Sequence, residues 1–230
     1  MSETIARWRA AWEERPAYWS AVLVLLVALL ASATSLGNGF TYDDIPVVVE
    51  NPMVRELHSL LAYLTDSYWG PTRGNALYRP LTVIAYALQS AMGGGDPLPF
   101  HIVSVALYLA TALAVLLLMR ELLGEGAALL AALVGAAHPV HVEAVANVVG
   151  QSEMLAGLPM ILAMTFYLRD RKAGELRPGT VAAIAVCFGI ALLSKEHGIV
   201  LPAVLLLAEA VFAGALFAPL GWARPRTWLL

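Results

Sequence analysis

The sequence predicts an all-α, polytopic transmembrane bundle of about six spans with a long extracytoplasmic loop, and three observations carry that expectation. The chain is 60% hydrophobic and only 13% charged, against about a quarter charged in soluble domains. Its apolar residues fall into runs near the roughly 20 residues that a helix needs to cross a hydrocarbon core. Its basic residues divide unevenly between the two sides that those runs define.

The runs are Tyr18 to Leu36, Phe100 to Met119, Gly126 to Ala137 with its continuation, Met154 to Leu168, Thr180 to Leu193, and Gly198 to Leu216. The first follows an amphipathic stretch, Ser2 to Arg15, and no A-x-A-like cleavage signal follows it, so it reads as a retained span. Between the first and second runs lies a polar segment with Asp43, Asp44, Glu50, Glu56, Asp66 and Arg73, which belongs outside the hydrocarbon. Arg79 to Met92 is apolar but too short to cross. It is expected to form an interfacial or juxtamembrane helix, started at Pro80 and stopped by Gly93, Gly94 and Gly95.

With a cytoplasmic N-terminus this topology places ten basic residues inside, Arg7, Arg9, Arg15, Arg120, Arg169, Arg171, Lys172, Arg177, Arg224 and Arg226. Four lie outside, Arg55, Arg73, Arg79 and Lys195. A seventh crossing at Arg79 would spoil this positive-inside bias. The expected organisation is a cytoplasmic N-terminus over 1–16, a membrane module over 17–218 with its extracytoplasmic loop at 37–98, and a cytoplasmic loop over 219–230. Ending there, at Trp228, Leu229 and Leu230, predicts a truncated chain. The net charge of −3 and the lack of a basic stripe give no sign of a nucleic-acid partner. The single cysteine, Cys187, excludes an internal disulfide.

Four motifs fall on the extracytoplasmic side: FTYDDIPVVVENP, YRPL, HPVHVEAVANVVGQSE and LLSKEHGIVLP. Charged side chains cost at least about 2.5–3.5 kcal/mol near a bilayer centre, so at span ends they line watered cavities or mark function. Either of the adjacent carboxylates Asp43 and Asp44 can serve as a general base, and the plainer alternative is a solvated turn at the membrane surface. Arg79 and Lys195 are candidates for holding a phosphate. The alternatives are an interfacial anchor for Arg79 beside Tyr78, and for Lys195 a snorkelling side chain paired with Glu196. His138 and His141 have the H-x-x-H spacing of metal ligands, with Glu143 placed to orient a ring. Pro139 interrupts the helix between them, and no cysteine or further close histidine completes a four-ligand set, so a divalent metal is not expected. The expected role of both histidines is hydrogen bonding to an anionic head group, or simply that of polar residues at a span end. Gln151 and Glu153 either extend the same polar wall or begin the fourth span, and Glu196 and His197 flank Lys195 in support.

In order, GFTYDDIPVVVENPMV, YRPLTVIAYAL, FHIVSVALYL, HPVHVEAVANVVGQSEMLAGL and LLSKEHGIVLP resemble the N-terminal membrane module of the transmembrane and tetratricopeptide repeat-containing proteins. That family belongs to the C-type glycosyltransferase superfamily and is protein O-mannosyltransferase-like. The resemblance covers most of the chain from Gly39 to Pro202. It implies an extracytoplasmic active site, a polyprenyl- or dolichyl-phosphate-linked sugar donor, commonly mannose, and transfer to Ser or Thr hydroxyls of an acceptor protein. It implies an acidic catalytic base in the first extracytoplasmic loop, which maps to Asp43 or Asp44 with Asp43 favoured. It also implies further spans and tetratricopeptide repeats belonging to a longer parent chain. The expected setting is a bacterial inner membrane. A transporter or lipid-sugar flippase is the alternative that polar residues facing a bundle cavity would also fit.

Overall fold

The computed structural model describes residues 16–70 and 77–212. The expectations for the N-terminal amphipathic stretch, for Arg73, for the end of the sixth run and for 219–230 lie outside the described residues. All regular structure among the described residues is helical.

Helix α1 (Pro16–Ser32) continues through a 3-10 turn to Gly37. The loop that follows carries a π-turn at Ile45–Val49 and short helices α2 (Pro52–Arg55) and α3 (Leu60–Thr65). Their start signals are local: the side chain of Asn51 accepts the Met53 N–H, and that of Ser59 accepts the Ala62 N–H. Helix α4 (Pro80–Gly93) forms over the residues expected, with Pro80 in its first turn and Gly94 ending it in the left-handed region at φ 60°.

The rest is α5 (Pro97–Leu122), α6 (Glu125–Ala137), a 3-10 turn at Pro139–His141, α7 (Val142–Ala146), α8 (Gln151–Ala173), α9 (Pro178–Ser194), a 3-10 turn at Glu196–Val200, and α10 (Leu201–Phe212). Pro139 makes the break between α6 and α7, where the axis bends by 48°.

The chain passes along the bundle six times in alternating directions, as polar contacts at the two ends show for the first five passes and the Arg171–Glu209 pair between α8 and α10 shows for the sixth. At one end Arg120 of α5 holds Glu125 of α6 and the Ala17 carbonyl of α1, while Glu121 pairs with Arg169 and Lys172 of α8. At the other end Asn38 donates to the Ala146 carbonyl, and Thr82 of α4 donates to the Ser194 carbonyl at the end of α9. By length and composition, however, only the α1 segment Pro16–Gly37 and α5 qualify as membrane-crossing among the described residues, or three segments if the bent α6–α7 pair is one span. The count of six crossings is not confirmed by this criterion. The reason is physical: α9 is 17 residues long, and α8 carries Glu153 at one end and Arg169, Asp170, Arg171 and Lys172 at the other.

Helices α1 and α6 meet on small residues four apart, Ser20, Val24, Ala28 and Ser32 against Ala128, Ala132 and Ala136, a spacing that lets helix backbones approach closely. Tyr108 of α5 closes this seam by donating to the Ala136 carbonyl at 2.8 Å, one of the carbonyls left over at the end of α6. The loop has a core of its own, with Val47, Val54, Tyr86 and Phe100 fully or almost fully buried. Beneath it Gln89 and Gln151 exchange two amide hydrogen bonds at 2.9 Å, and Gln151 also donates to the Phe100 carbonyl and the Ser104 hydroxyl.

This buried amide pair makes a clear prediction. Gln89→Leu strands the Gln151 carbonyl oxygen and is expected to cost about 1–3 kcal/mol. Thermal unfolding of the detergent-solubilised protein should register the loss, and the double variant Gln89→Leu/Gln151→Leu should recover part of it.

Candidate functional site

The loop after α1 turns sharply at Thr41–Asp44. The Asp44 N–H donates to the Thr41 carbonyl, and the Thr41 N–H donates back to Asp44 Oδ2 at 3.0 Å. Asp44 Oδ1 accepts the Val149 N–H at 2.8 Å, across the bundle. Both carboxylate oxygens of Asp44 are therefore engaged, and the residue is fully buried. Tyr42 sits in the left-handed region at φ 47°, an uncommon conformation for a residue with a side chain. The turn leaves Asp43 exposed and facing a cavity.

That cavity, about 520 Å³, is lined by Asp43, Arg79, Lys195, His141, Glu143 and Glu153, with Tyr68 and Trp69 as its aromatic wall. Two glycines bring its far wall into place. A Cβ at Gly150 would lie 2.5 Å from the Ala144 carbonyl oxygen and 2.7 Å from that of Glu143, so only glycine lets the 147–150 turn fold down on α7. Asn147 fixes this turn by accepting the Gly150 N–H. Gly198 does the same beyond α9, where a Cβ would stand 2.4 Å from the Leu192 nitrogen.

Arg79 precedes α4, and its guanidinium grips Glu196 with two donors, Nε to Oε1 at 2.9 Å and Nη2 to Oε2 at 2.7 Å. The same guanidinium lies 4.7 Å from the centre of the Tyr68 ring. Burial pushes the Tyr68 hydroxyl up to about 12, so it stays protonated. Hydrogen bonding from Arg79 holds the Glu196 carboxyl below its ordinary range. Lys195 pairs with Glu153 of α8, which also stands 3.3 Å from His197 Nδ1. The alternative pairing of Lys195 with its neighbour Glu196 is not formed: the turn after α9 sends the two side chains to different partners.

The remaining expected residues divide. His141 and Glu143 line the cavity, whereas His138 lies outside it and caps its own turn by accepting the Val140 N–H at Nδ1. Gln151 is fully buried in the amide pair and is not part of the cavity wall. Among the described residues no three His, Cys, Asp or Glu side chains are grouped to hold a metal ion. Tyr68 and Trp69 were not foreseen as site residues, and Glu153 was read only as polar wall or helix start. The signal for the aromatic pair is the turn at Gly70, whose φ of 75° and whose contact with Asn51 leave no room for a side chain.

The profile of the dolichyl-phosphate-mannose-protein mannosyltransferase family matches residues 80–222. The chain belongs to that family. Curated relatives of this mannosyltransferase-family chain include protein O-mannosyl-transferase TMTC3 of Mus musculus, 26% identical over 205 residues, covering 86% of this chain and 22% of the relative. TMTC4 of Mus musculus is 30% identical over 209 residues, 80% of this chain and 28% of the relative. TMTC1 of Homo sapiens is 31% identical over 195 residues, 78% of this chain and 22% of the relative. The chain thus spans between a fifth and just over a quarter of the length of these relatives. All of them are animal proteins, so the expected bacterial inner membrane finds no support among them. No solved structure gives a significant match.

The two aspartates should separate in a stability assay. Asp44→Ala removes the acceptor for two backbone N–H groups and is expected to cost about 1–3 kcal/mol. Asp43→Ala, at an exposed position, is expected to stay within about 0.5 kcal/mol of the parent, as read by thermal unfolding.

Proposed function

We propose that this chain forms the catalytic-loop and donor-phosphate part of a membrane O-mannosyltransferase, which moves mannose from a polyprenyl- or dolichyl-phosphate donor to a Ser or Thr hydroxyl of an acceptor protein. In this reading all six passes cross the membrane and the cavity opens on the extracytoplasmic face. The observation that carries it is the single cavity shared by Asp43, Arg79 and Lys195.

Asp43 is the general base in this mechanism, because its neighbour already spends both oxygens on backbone N–H groups. It takes the proton of the acceptor hydroxyl as the oxygen attacks the anomeric carbon from the side opposite the phosphate. The bond from that carbon to the phosphate oxygen breaks, and configuration inverts. Arg79 and Lys195 hold the departing lipid phosphate, where preorganised cations offset the charge that develops. His141 supplies a further hydrogen bond at the cavity wall. Membership of a dolichyl-phosphate-mannose-protein mannosyltransferase family and the O-mannosyl-transferase relatives support mannose, a dolichyl-phosphate donor and a protein acceptor. They lend no support to a transporter or flippase.

The test is mannose transfer from a polyprenyl-phosphate mannose donor by the full-length protein. Asp43→Asn is expected to lower kcat by about 100- to 10,000-fold, the usual contribution of a general base. Arg79→Ala is expected to act on the donor as well, raising its KM. Undiminished transfer by Asp43→Asn would remove the proposed base.

A further inference from the structure

The two cations of the cavity are not free. Arg79 is bound to Glu196, and Lys195 is bound to Glu153. The exposures within each pair are unequal in the same sense. The side chains of Arg79 and Lys195 are 11% and 13% exposed, whereas those of Glu196 and Glu153 are 45% and 46% exposed. In both pairs the cation is the more buried member and the carboxylate the more exposed one, and Glu153 itself lines the cavity.

The anchoring of the Arg79–Glu196 pair is unequal too. Arg79 is fixed by its place at the start of α4 and by the Tyr68 ring, and Lys195 by its place at the end of α9. Glu196 lies in a short 3-10 turn with its carboxylate on the Arg79 guanidinium, and Glu153 sits on the first turn of α8. Arg79 is thus held from a second side by the Tyr68 ring.

We propose that Glu196 and Glu153 are resident counter-ions of the phosphate subsite, each occupying the position that one non-bridging phosphate oxygen takes when a phosphodiester binds, and each swinging outward to admit it. The inference rests on the donor-phosphate reading above. A phosphodiester has two non-bridging oxygens, matching the two cations, and either carboxylate can rotate about its own side-chain torsions without disturbing a helix. The exchange is a ligand substitution with no covalent step. The resident carboxylates keep two inward cations neutralised while the site is empty, which offsets the cost of leaving a charge unpaired at low exposure. They also set the affinity of the donor, because every bound phosphate must displace them.

The consequence runs against the usual expectation for removing a partner from an ion pair. The full-length protein in detergent is titrated with a short-chain polyprenyl-phosphate mannose, with inorganic phosphate as a second arm. Glu196→Gln and Glu153→Gln are each expected to bind the lipid-linked donor about two- to fivefold more tightly than the parent, the scale of a partly exposed ion pair. Inorganic phosphate should show the same ordering at weaker affinity if the cation pair alone recognises the anion, and the lipid-linked donor alone should show it if the lipid is needed to reach the subsite. Glu196→Asp, which keeps the carboxylate, should bind as the parent does. A second measurement needs no variant to be equally stable: difference infrared spectra of the parent should show a change in carboxylate stretching on donor binding. Equal or weaker binding by both glutamine variants, or an unchanged carboxylate spectrum, would overturn the counter-ion role while leaving the phosphate site intact. Failure of the parent and of every variant to bind would remove the phosphate site itself, and this inference with it.

Discussion

The buried carboxylate of Asp44 is the joint on which the cavity depends. Its two oxygens reach the Thr41 N–H within the first loop and the Val149 N–H more than 100 residues further along the chain. Without that joint the loop after α1 and the turn before α8 would be separate pieces of surface. With it, Asp43 is held outward against a wall made by α7, α8 and the start of α4. A buried carboxylate is costly unless its lone pairs are met. Here both oxygens are met by bringing the two segments side by side.

Around this joint the fold solves the same problem repeatedly, bringing polar chain segments together at the end of an apolar bundle. Gly150 and Gly198 let two turns press directly on backbone, which sets the depth of the cavity walls bearing Glu143 and Lys195. Tyr68 and Glu196 confine the Arg79 guanidinium from two sides. At the opposite end, ion pairs between Arg120 and Glu125, between Glu121 and Arg169, and between Arg177 and Asp170 tie neighbouring helices. The Arg177 hydrogen bonds hold the Asp170 carboxyl well below the usual range. The bundle is thus clamped at both ends, with small-residue packing between.

Much of this was legible in the chain. The α4 boundaries follow from Pro80 and the three glycines after Met92, because both signals act within a turn of where they stand. Asp43, Arg79, His141, Glu143 and Lys195 line one cavity, and their motifs were singled out in the sequence because an even or odd number of reversals decides which loops share an end. The division of labour between Asp43 and Asp44 was not legible, because it is decided by the amide of Val149, far away in sequence. Nor was the partner of Lys195: adjacency in sequence points to Glu196, but the 3-10 turn turns the two side chains apart. His138 and His141 share a spacing but not a site, because Pro139 breaks the helix that would have aligned them. Gln151 resembled a cavity residue because a buried amide pair and a polar wall are written with the same letter.

The central claim is that the aspartate loop, α7 and the turn after α9 meet at one water-facing rim of a membrane-embedded bundle. Side-specific labelling measures this directly, using single cysteines at Tyr42, Glu143 and His197, with a control at Glu175, in a Cys187→Ser background and a membrane-impermeant maleimide. Labelling of positions 42, 143 and 197 from one side of sealed vesicles, and of 175 only from the other, is the predicted result. Labelling of 42 and 197 from opposite sides would contradict it.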